Sequence, residues 1–187
     1  GEYIQILNAD DYLQKDKVIE SIKCFNNNPQ ASYVFGDLYI INNNNNVLYA
    51  IKGDEDYAGK IKYWTPRINH PTVMAKKNIF EKYGLFDEKY KIAMDYEWLL
   101  RVHTNGEVGI YSEKIITYMQ EGGQSSNYFH AMKEEYDISV NYGRPKIVVF
   151  VIYTFRFFRT NIRKLLEKFV NTNFLYAIRK GINKQIK

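Results

Sequence analysis

The sequence has a single cysteine and no apolar stretch long enough to cross a bilayer. Cys24 has no second thiol with which to form a disulfide or a thiolate metal site, which indicates a protein of a reducing compartment. The longest continuous apolar run, Ile147–Tyr153, is far shorter than the roughly 20 residues that a membrane-spanning helix needs. These absences exclude a disulfide-stapled secreted domain and argue against an integral membrane protein.

Acidic and basic residues are segregated along the chain, which has 187 residues and a formal net charge of +5. Residues 144–187 contain eleven of the 26 basic residues and only one of the 21 acidic residues, Glu167. The remaining 1–143 therefore has more acidic than basic side chains. A basic segment on an acidic body predicts an anionic surface as partner of that segment alone, and the acidic body argues against nucleic-acid binding.

The apolar pattern alternates between strand-like and helix-like segments, which predicts an α/β domain with a full hydrophobic core. Strands are predicted at 3–7, 32–41, 47–51, 72–74 and 108–119, and helices at 12–26, 76–83, 93–104 and 128–142. Residues 53–69 have no clean period and are predicted to be a mobile connection. Gly84 and Gly106 are predicted to end helices.

An acidic cluster, Asn8–Asp11, directly follows the first predicted strand, which we expect to be buried. In open α/β sheets ligands bind at the carboxyl ends of strands, where oxygen-rich side chains suit a hard divalent cation that also contacts substrate phosphates. The alternative is that Asn8 and Asp10 form a turn and cap the following helix. The cluster alone does not decide between a cation site and a helix cap.

The segment 144–187 combines apolar, aromatic and basic residues. Its apolar run is extended by three phenylalanines with arginines between them: Phe155, Arg156, Phe157, Phe158 and Arg159. This composition predicts an amphipathic helix in a membrane interface, with its arginines toward lipid phosphates. The alternative is a terminal helix that packs on the core and continues into a solvated basic segment.

Three motifs occur in a fixed order: Asn8–Asp11, then Gly84–Glu88 followed by Met94–Arg101, then Glu121–Ser126 after a strand. Together they resemble the inverting glycosyltransferases of family 2, which have the GT-A nucleotide-sugar fold. The resemblance implies an α/β fold with a partial GT-A-like mixed sheet flanked by helices over residues 1–143. A basic, amphipathic helical segment, 144–187, would follow it.

The resemblance implies a donor and metal site at the acidic cluster. Asp10 matches the last acid of the family's metal motif and is implied to hold Mn²⁺ or Mg²⁺ on the donor diphosphate. Asn8 stands where the family usually has Asp, so it offers the donor an oxygen without the charge. Asp11 is implied to contact the donor. Gly123 and Ser125 are implied to approach the diphosphate through backbone amides, although their loop is also an ordinary flexible turn.

Asp95 matches the aspartate that is implied to be the catalytic base, with Met94 in place of the family's preceding Glu. Inverting transfer needs a carboxylate to take the proton of the attacking acceptor hydroxyl and a cation to neutralise the departing nucleoside diphosphate. His70 and Glu97 are candidates for acceptor binding. Their alternatives are structural, a hydrogen-bonding histidine and an ion pair of Glu97 with Arg101 one helical turn away.

The resemblance implies a hexosyltransferase-type enzyme that moves a sugar from a UDP-linked donor to a lipid-linked or saccharide acceptor in cell-surface polysaccharide synthesis. It also implies a cytoplasmic protein, peripheral at the inner face of the cell membrane. In this family the acidic motif follows strands that hold the nucleotide base, whereas seven residues precede Asn8 here. We therefore expect the chain by itself to be inactive. A non-catalytic carbohydrate- or protein-binding domain of the same fold is the alternative.

Overall fold

The structure is a computed structural model that describes residues 1–61, 66–121 and 128–169. Its strands are β1 (Tyr3–Gln5), β2 (Tyr12–Leu13), β3 (Ala31–Ile41), β4 (Val47–Ile51), β5 (Met74–Lys76) and β6 (Val108–Gln120). Its helices are α1 (Lys17–Asn27), α2 (Tyr57–Lys60), α3 (Lys77–Tyr83), α4 (Met94–Thr104), α5 (Tyr128–Asn141) and α6 (Lys146–Phe169). A short 3₁₀ helix, His70–Thr72, precedes β5.

The strands form one mixed sheet in the order β1-β5-β3-β6-β2, and β4 pairs with β3. β3 is central, because it runs parallel to β6 on one edge and antiparallel to β5 and β4 on the other. β1 lies at the end of this order, antiparallel to β5, and its residues are only half-buried. The prediction of a buried first strand is therefore wrong, since an edge strand is covered on fewer sides than a central one.

Helices cover both faces of the sheet. On β3, Tyr33 and Phe35 lie on one face and pack with Trp98 of α4. Val34 lies on the opposite face, as strand alternation requires, and packs with Phe25 of α1. All five side chains are buried. The predicted fold class, α/β with a mixed sheet flanked by helices, is confirmed, and the arrangement is consistent with a partial GT-A-like fold.

Six elements begin and end within one or two residues of their predicted positions: β3, β4, α3, α4, β6 and α5. α3 is followed by Gly84 with a φ of 80° and α4 by Gly106 with a φ of 87°. Glycine adopts these left-handed angles without the strain that a Cβ would cause. The two predicted helix ends are therefore confirmed.

The first predicted helix begins later than expected. Tyr12 and Leu13 pair with β6 as a short strand, so the backbone is extended there and α1 starts at Lys17. The burial of its side chains also departs from what hydropathy predicts. Val18 and Ile19 are about half exposed, at 47% and 55%, while Lys17 is fully buried.

The middle of the chain contains two further departures. The strand predicted at 72–74 is displaced to β5, because the amides of Thr72 and Val73 donate to carbonyls of the 3₁₀ turn and not to a neighbouring strand. The connection predicted at 53–69 contains α2, whose Tyr57 is buried in the core. The Tyr57 hydroxyl accepts a hydrogen bond from the Gly109 amide of β6, at 2.6 Å.

α6 forms the beginning of the basic segment, and residues 170–187 lie outside the described ranges. One stripe of α6 packs on α5, since Val149 and Tyr153 are buried in a cluster with Met132. The alternative of a helix that packs on the core is therefore confirmed for this stripe. In the described part of the chain, no helix has the length and apolar character needed to cross a bilayer. The division into 1–143 and 144–187 stays a prediction.

A buried lysine gives the fold a pH-dependent stability. Lys17 has no exposed surface and donates a hydrogen bond to Gln5 Oε1 of β1. Burial lowers the pKa of Lys17 from 10.5 to about 7. At pH values between about 7 and 10.5, Lys17 binds a proton in the unfolded chain that it does not bind in the folded chain. The free energy of unfolding therefore rises with pH over this window, by at most about 1.4 kcal/mol per unit for this group.

We expect Lys17→Met to raise the free energy of unfolding at pH 7 by about 1–3 kcal/mol, because it removes the cost of burying the ammonium. The difference between variant and wild type should shrink toward pH 10, where the lysine is increasingly neutral in both states. Urea unfolding at several pH values measures it. Lys15→Met, at an exposed position, is the control. A pH-independent difference would contradict the assignment.

Candidate active site

The acidic cluster forms a closed turn after β1. The Asn8 side-chain amide donates to Asp11 Oδ2 at 3.0 Å, and the Asp11 backbone amide donates to the Asn8 carbonyl at 3.2 Å. The expected turn is therefore present. It leads into β2, however, and the position before α1 is Asp16, so Asn8 and Asp10 do not cap that helix.

Asp11 is a buried acid next to a second acid, Asp10. Its carboxylate is 7% exposed, and Oδ1 accepts no hydrogen bond of normal geometry among the described residues. Burial raises the pKa of Asp11 and the nearby Asp10 raises it further, although the Asn8 amide, the Gln120 backbone and His70 oppose the rise. A bound cation would offset both the burial cost and the repulsion between the two carboxylates.

The residues present fit a Mn²⁺ or Mg²⁺ ion. Within the described ranges, no three His, Cys, Asp or Glu side chains converge as a ligand set. A pair of carboxylates is nevertheless what a Mg²⁺-like cation commonly takes from a protein, since waters and substrate phosphates complete its coordination. Asp10 is exposed, and Asp11 has a buried oxygen that accepts no hydrogen bond of normal geometry from the described residues, so the two would hold the ion between protein and solvent.

His70 is held near this cluster by a buried hydrogen-bond network. The Asn69 side chain donates to the Gly36 carbonyl of β3 at 2.8 Å, and the Gly36 amide donates to Thr72 Oγ1 at 2.9 Å. The His70 ring packs edge-on against Phe86, with ring centroids 5.7 Å apart. His70 thus begins a hydrogen-bonded 3₁₀ turn, and it is close enough to Asp11 to lower the pKa of that carboxyl slightly.

The Pro71 carbonyl attaches the 3₁₀ turn of His70 to the sheet. Pro71 O accepts hydrogen bonds from Gln5 Nε2 of β1 at 2.9 Å and from Thr117 Oγ1 of β6 at 3.0 Å. Thr117 is fully buried. The sequence offered no signal for this network, because its members are far apart in the chain and join only through the sheet.

Asp95 lies in the first turn of α4, as predicted. It is half-buried and faces a pocket of about 200 Å³. The pocket walls come from α4 and the two residues before it, from α5, from the segment 66–68 and from the residue after α2: Ile61, Pro66, Ile68, Ile92, Ala93, Tyr96, Leu99, Ala131 and Glu135. A larger cavity of about 610 Å³ lies between the C-terminal end of α4 and the start of α6, and it contains none of the predicted site residues.

The start of α4 is fixed by Glu134 of α5, a residue that sequence reasoning missed. Its carboxylate accepts three backbone hydrogen bonds, from Lys91 at 2.9 Å and from Ile92 and Ala93 at 2.8 Å. Burial favours the neutral acid, but the three amides together lower the pKa of Glu134. The helix begins one residue later, so this contact sets where Asp95 points.

Glu97 makes the predicted ion pair with Arg101, with Oε2 2.9 Å from Nη2. Its other carboxylate oxygen accepts a hydrogen bond from the Tyr142 hydroxyl. Arg101 also donates to the carbonyls of Tyr83 and Leu85, which ties α4 to the turn after α3. The structural role of Glu97 is therefore confirmed, and a contact with the acceptor stays a prediction.

The segment 66–70 joins the two groups of predicted residues. Its Ile68 lines the Asp95 pocket, while its His70 lies within electrostatic range of Asp11. Leu99, one turn after Asp95, lines that pocket and also packs beside His70. Gly123 and Ser125 fall in 122–127, outside the described residues, so their predicted donor contacts stay predictions.

No family model matches the chain. Over 139 residues, or 72% of its length, the chain is 28% identical to an uncharacterised glycosyltransferase of Methanocaldococcus jannaschii. The aligned part is 47% of that protein, so the chain spans about half the length of the curated relative that it matches. The sequence resemblance and this alignment agree at the coarse level: over most of its length, the chain is similar to a glycosyltransferase.

Proposed function

We propose that the chain takes part in transfer of a sugar, with inversion, from a nucleotide-sugar donor to a lipid-linked or saccharide acceptor in cell-surface polysaccharide synthesis. The observation that carries the proposal is the buried Asp11 carboxylate beside Asp10, since Asp11 Oδ1 receives no hydrogen bond of normal geometry from the described residues. Such an oxygen is costly to leave without a partner, and a cation on a donor diphosphate would supply one. The similarity to a glycosyltransferase supports the same chemistry.

In this proposal the two groups of residues divide the reaction between them. Asp10 and Asp11 would hold Mn²⁺ or Mg²⁺, which supplies charge neutralisation for the leaving nucleoside diphosphate. Asn8 orients Asp11 through its side-chain amide and would offer its side-chain oxygen, Oδ1, to the donor. His70, held in its hydrogen-bonded turn within electrostatic range of Asp11, would contact the donor or the acceptor.

Asp95 acts as the base on the acceptor side. Its carboxylate takes the proton of the acceptor hydroxyl as that oxygen attacks the anomeric carbon from the face opposite the departing diphosphate. One bond forms and one breaks at the same carbon, so the configuration inverts.

The cation site has a direct test that does not depend on turnover. We expect Mn²⁺ to broaden the imidazole NMR signals of His70 in the 187-residue chain, because His70 lies near Asp11. Asp11→Asn should raise the apparent Kd for this broadening about tenfold or more, since one charge and one ligand oxygen are lost. Asp16→Asn, at an exposed acid outside the cluster, should leave it unchanged.

Two results would overturn the cation site. One is broadening of His70 that survives Asp11→Asn unchanged. The other is equal broadening of His130, on α5, which would show that Mn²⁺ associates with the acidic surface in general.

The donor nucleotide, the hexosyl type and the activity of the whole protein are proposals, because the chain spans about half of its relative. We expect the 187-residue chain by itself to show no turnover and to bind UDP-sugars poorly. Calorimetry of UDP-sugars with Mn²⁺ measures this, and tight binding would refute it.

A non-catalytic carbohydrate- or protein-binding domain remains the second candidate. It is favoured by the two departures from the family pattern, Asn8 in the metal motif and Met94 before Asp95. Both remove a carboxylate from a place where catalysis would use one. The two candidates differ in the effect of Asp95→Asn, which should impair the protein's function only if the protein is an enzyme.

A further inference from the structure

α6 exposes a continuous apolar face. Its members recur every three or four residues, which places them on one side of a helix. They are exposed by 56% to 77%: Ile147, Val151, Phe155, Phe158, Ile162 and Leu165. A solvent-exposed stripe of this length, with two phenylalanines at its centre, is larger than the scattered apolar residues that ordinary surfaces carry.

The opposite side of α6 is fixed to the body, so the apolar face is turned outward. Val149 and Tyr153 are buried against α5, and Arg156 Nη1 lies 2.6 Å from Glu135 Oε2. At about 100° per residue, this stripe is diametrically opposite Val151 and Phe158. Rotation of α6 to bury its outer face would break these buried contacts, and among the described residues no other element covers that face.

Charge decides what kind of partner fits. Residues 144–169 contain seven Lys and Arg and one acid, Glu167. Arg159 is exposed and follows Phe158 directly, at the border of the apolar face. A second copy of the chain would bring the same basic residues against these, without the opposite charges that stabilise paired helices. A surface of anionic lipid offers acyl chains for the phenylalanines and phosphates for the arginines.

We propose that α6 lies flat in the interface of an anionic lipid membrane, with the face defined by Val151, Phe155, Phe158 and Ile162 in the acyl region. α5 then lies above it, on the side away from the lipid. Glu135 of α5 binds Arg156 on one side and lines the Asp95 pocket on the other. The pocket is therefore one helix layer, about 10 Å, above α6.

This placement gives the proposed transfer reaction a route to its acceptor, and that part of the inference rests on the proposed function. A lipid-linked acceptor would keep its lipid in the membrane and present its sugar or phosphate end at the height of the pocket. Membrane binding by α6 itself depends only on the exposed face and its charge.

The test is flotation of the chain with vesicles of phosphatidylcholine alone and of phosphatidylcholine with phosphatidylglycerol. We expect binding to the anionic vesicles, weakened by high salt because the charge attraction is screened. The double variant Phe155→Ser/Phe158→Ser should lower the partition coefficient about tenfold or more. The matched control is Val18→Ser/Ile19→Ser on α1, which removes two exposed apolar side chains elsewhere and should bind like the wild type.

Three outcomes would overturn the proposal. The first is equal binding of the phenylalanine variant and the wild type. The second is equal loss in the α1 control. The third is a stable dimer in vesicle-free buffer, seen by light scattering and abolished by the phenylalanine variant, since a second copy would then cover the face. Failure of vesicle binding would leave Mn²⁺ binding at Asp11 intact, so this inference and the proposed function fail separately.

Discussion

Asp95→Asn is expected to lower sugar transfer by the full-length gene product about 10²- to 10⁴-fold, the range typical of removing a general base. Asparagine keeps the size of the side chain and its hydrogen bond from the Tyr96 amide but cannot accept the hydroxyl proton. The loss should appear in kcat, with the KM for the donor nearly unchanged, because Asp95 lies in the α4 pocket and not in the acidic cluster. Initial rates over a range of donor concentrations measure both constants.

The matched control for this substitution is Asp137→Asn, at an exposed aspartate on α5. It changes the net charge equally and should retain wild-type turnover. Full activity in folded Asp95→Asn would remove Asp95 as the base. A biological function of the protein that is unchanged by Asp95→Asn would favour the binding-domain alternative over the enzyme.

Gly36→Ala is expected to destabilise the fold severely, by about 3 kcal/mol or more. A Cβ at Gly36 would lie 1.9 Å from the Ile115 carbonyl oxygen and 2.6 Å from the Ser112 carbonyl oxygen. Both are backbone atoms of β6, so no side chain can move aside. β3 and β6 would have to separate at the centre of the sheet. The urea unfolding midpoint of the chain measures the loss.

The same substitution should also disturb the site. The amide and carbonyl of Gly36 hold Thr72 and Asn69, which flank His70. Gly59→Ala is the matched control, because a Cβ there meets only the flexible Asp56 side chain at 3.1 Å, and alanine suits α2 better than glycine does. Stability of Gly36→Ala equal to that of Gly59→Ala would contradict the described packing of β3 on β6.

The parts of the fold that the sequence predicts well are those decided by local chemistry. α4 has a clear apolar periodicity and a glycine after its end, so its position and its buried face, Trp98, Leu99 and Val102, follow from pattern alone. The hairpin of β3 and β4 follows from two β-rich runs around an asparagine turn. The turn at Asn8–Asp11 is also local, because the Asn8 side chain donates a hydrogen bond to Asp11 three residues later.

The parts that sequence reasoning misses are decided by distant contacts. α1 buries the ammonium of Lys17 and leaves Val18 and Ile19 exposed, the reverse of what hydropathy predicts, because Gln5 on β1 supplies the hydrogen-bond partner. Glu134 is one of several acids in a polar helix, and no local sequence pattern indicates that it accepts the hydrogen bonds that fix the start of α4. Such roles become visible only when the elements are assembled.

The candidate site also has a part that the sequence predicts and a part that only the structure shows. Motif order identifies Asp10, Asp11 and Asp95, but it does not show that the segment 66–70 runs between them. That segment is fixed by Asn69 and by the Pro71 carbonyl, through bonds to three different strands. These hydrogen bonds hold the segment between the proposed donor and acceptor sites.

The most direct test of sugar transfer is an assay of the full-length gene product with a panel of nucleotide sugars and lipid-linked acceptors, with Mn²⁺ and with excess chelator. We predict a product that forms only with the cation and whose anomeric configuration, read by NMR, is inverted relative to the donor. A retained configuration, product formation that is unaffected by the chelator, or a folded protein that neither binds nor consumes any donor of the panel would contradict the account.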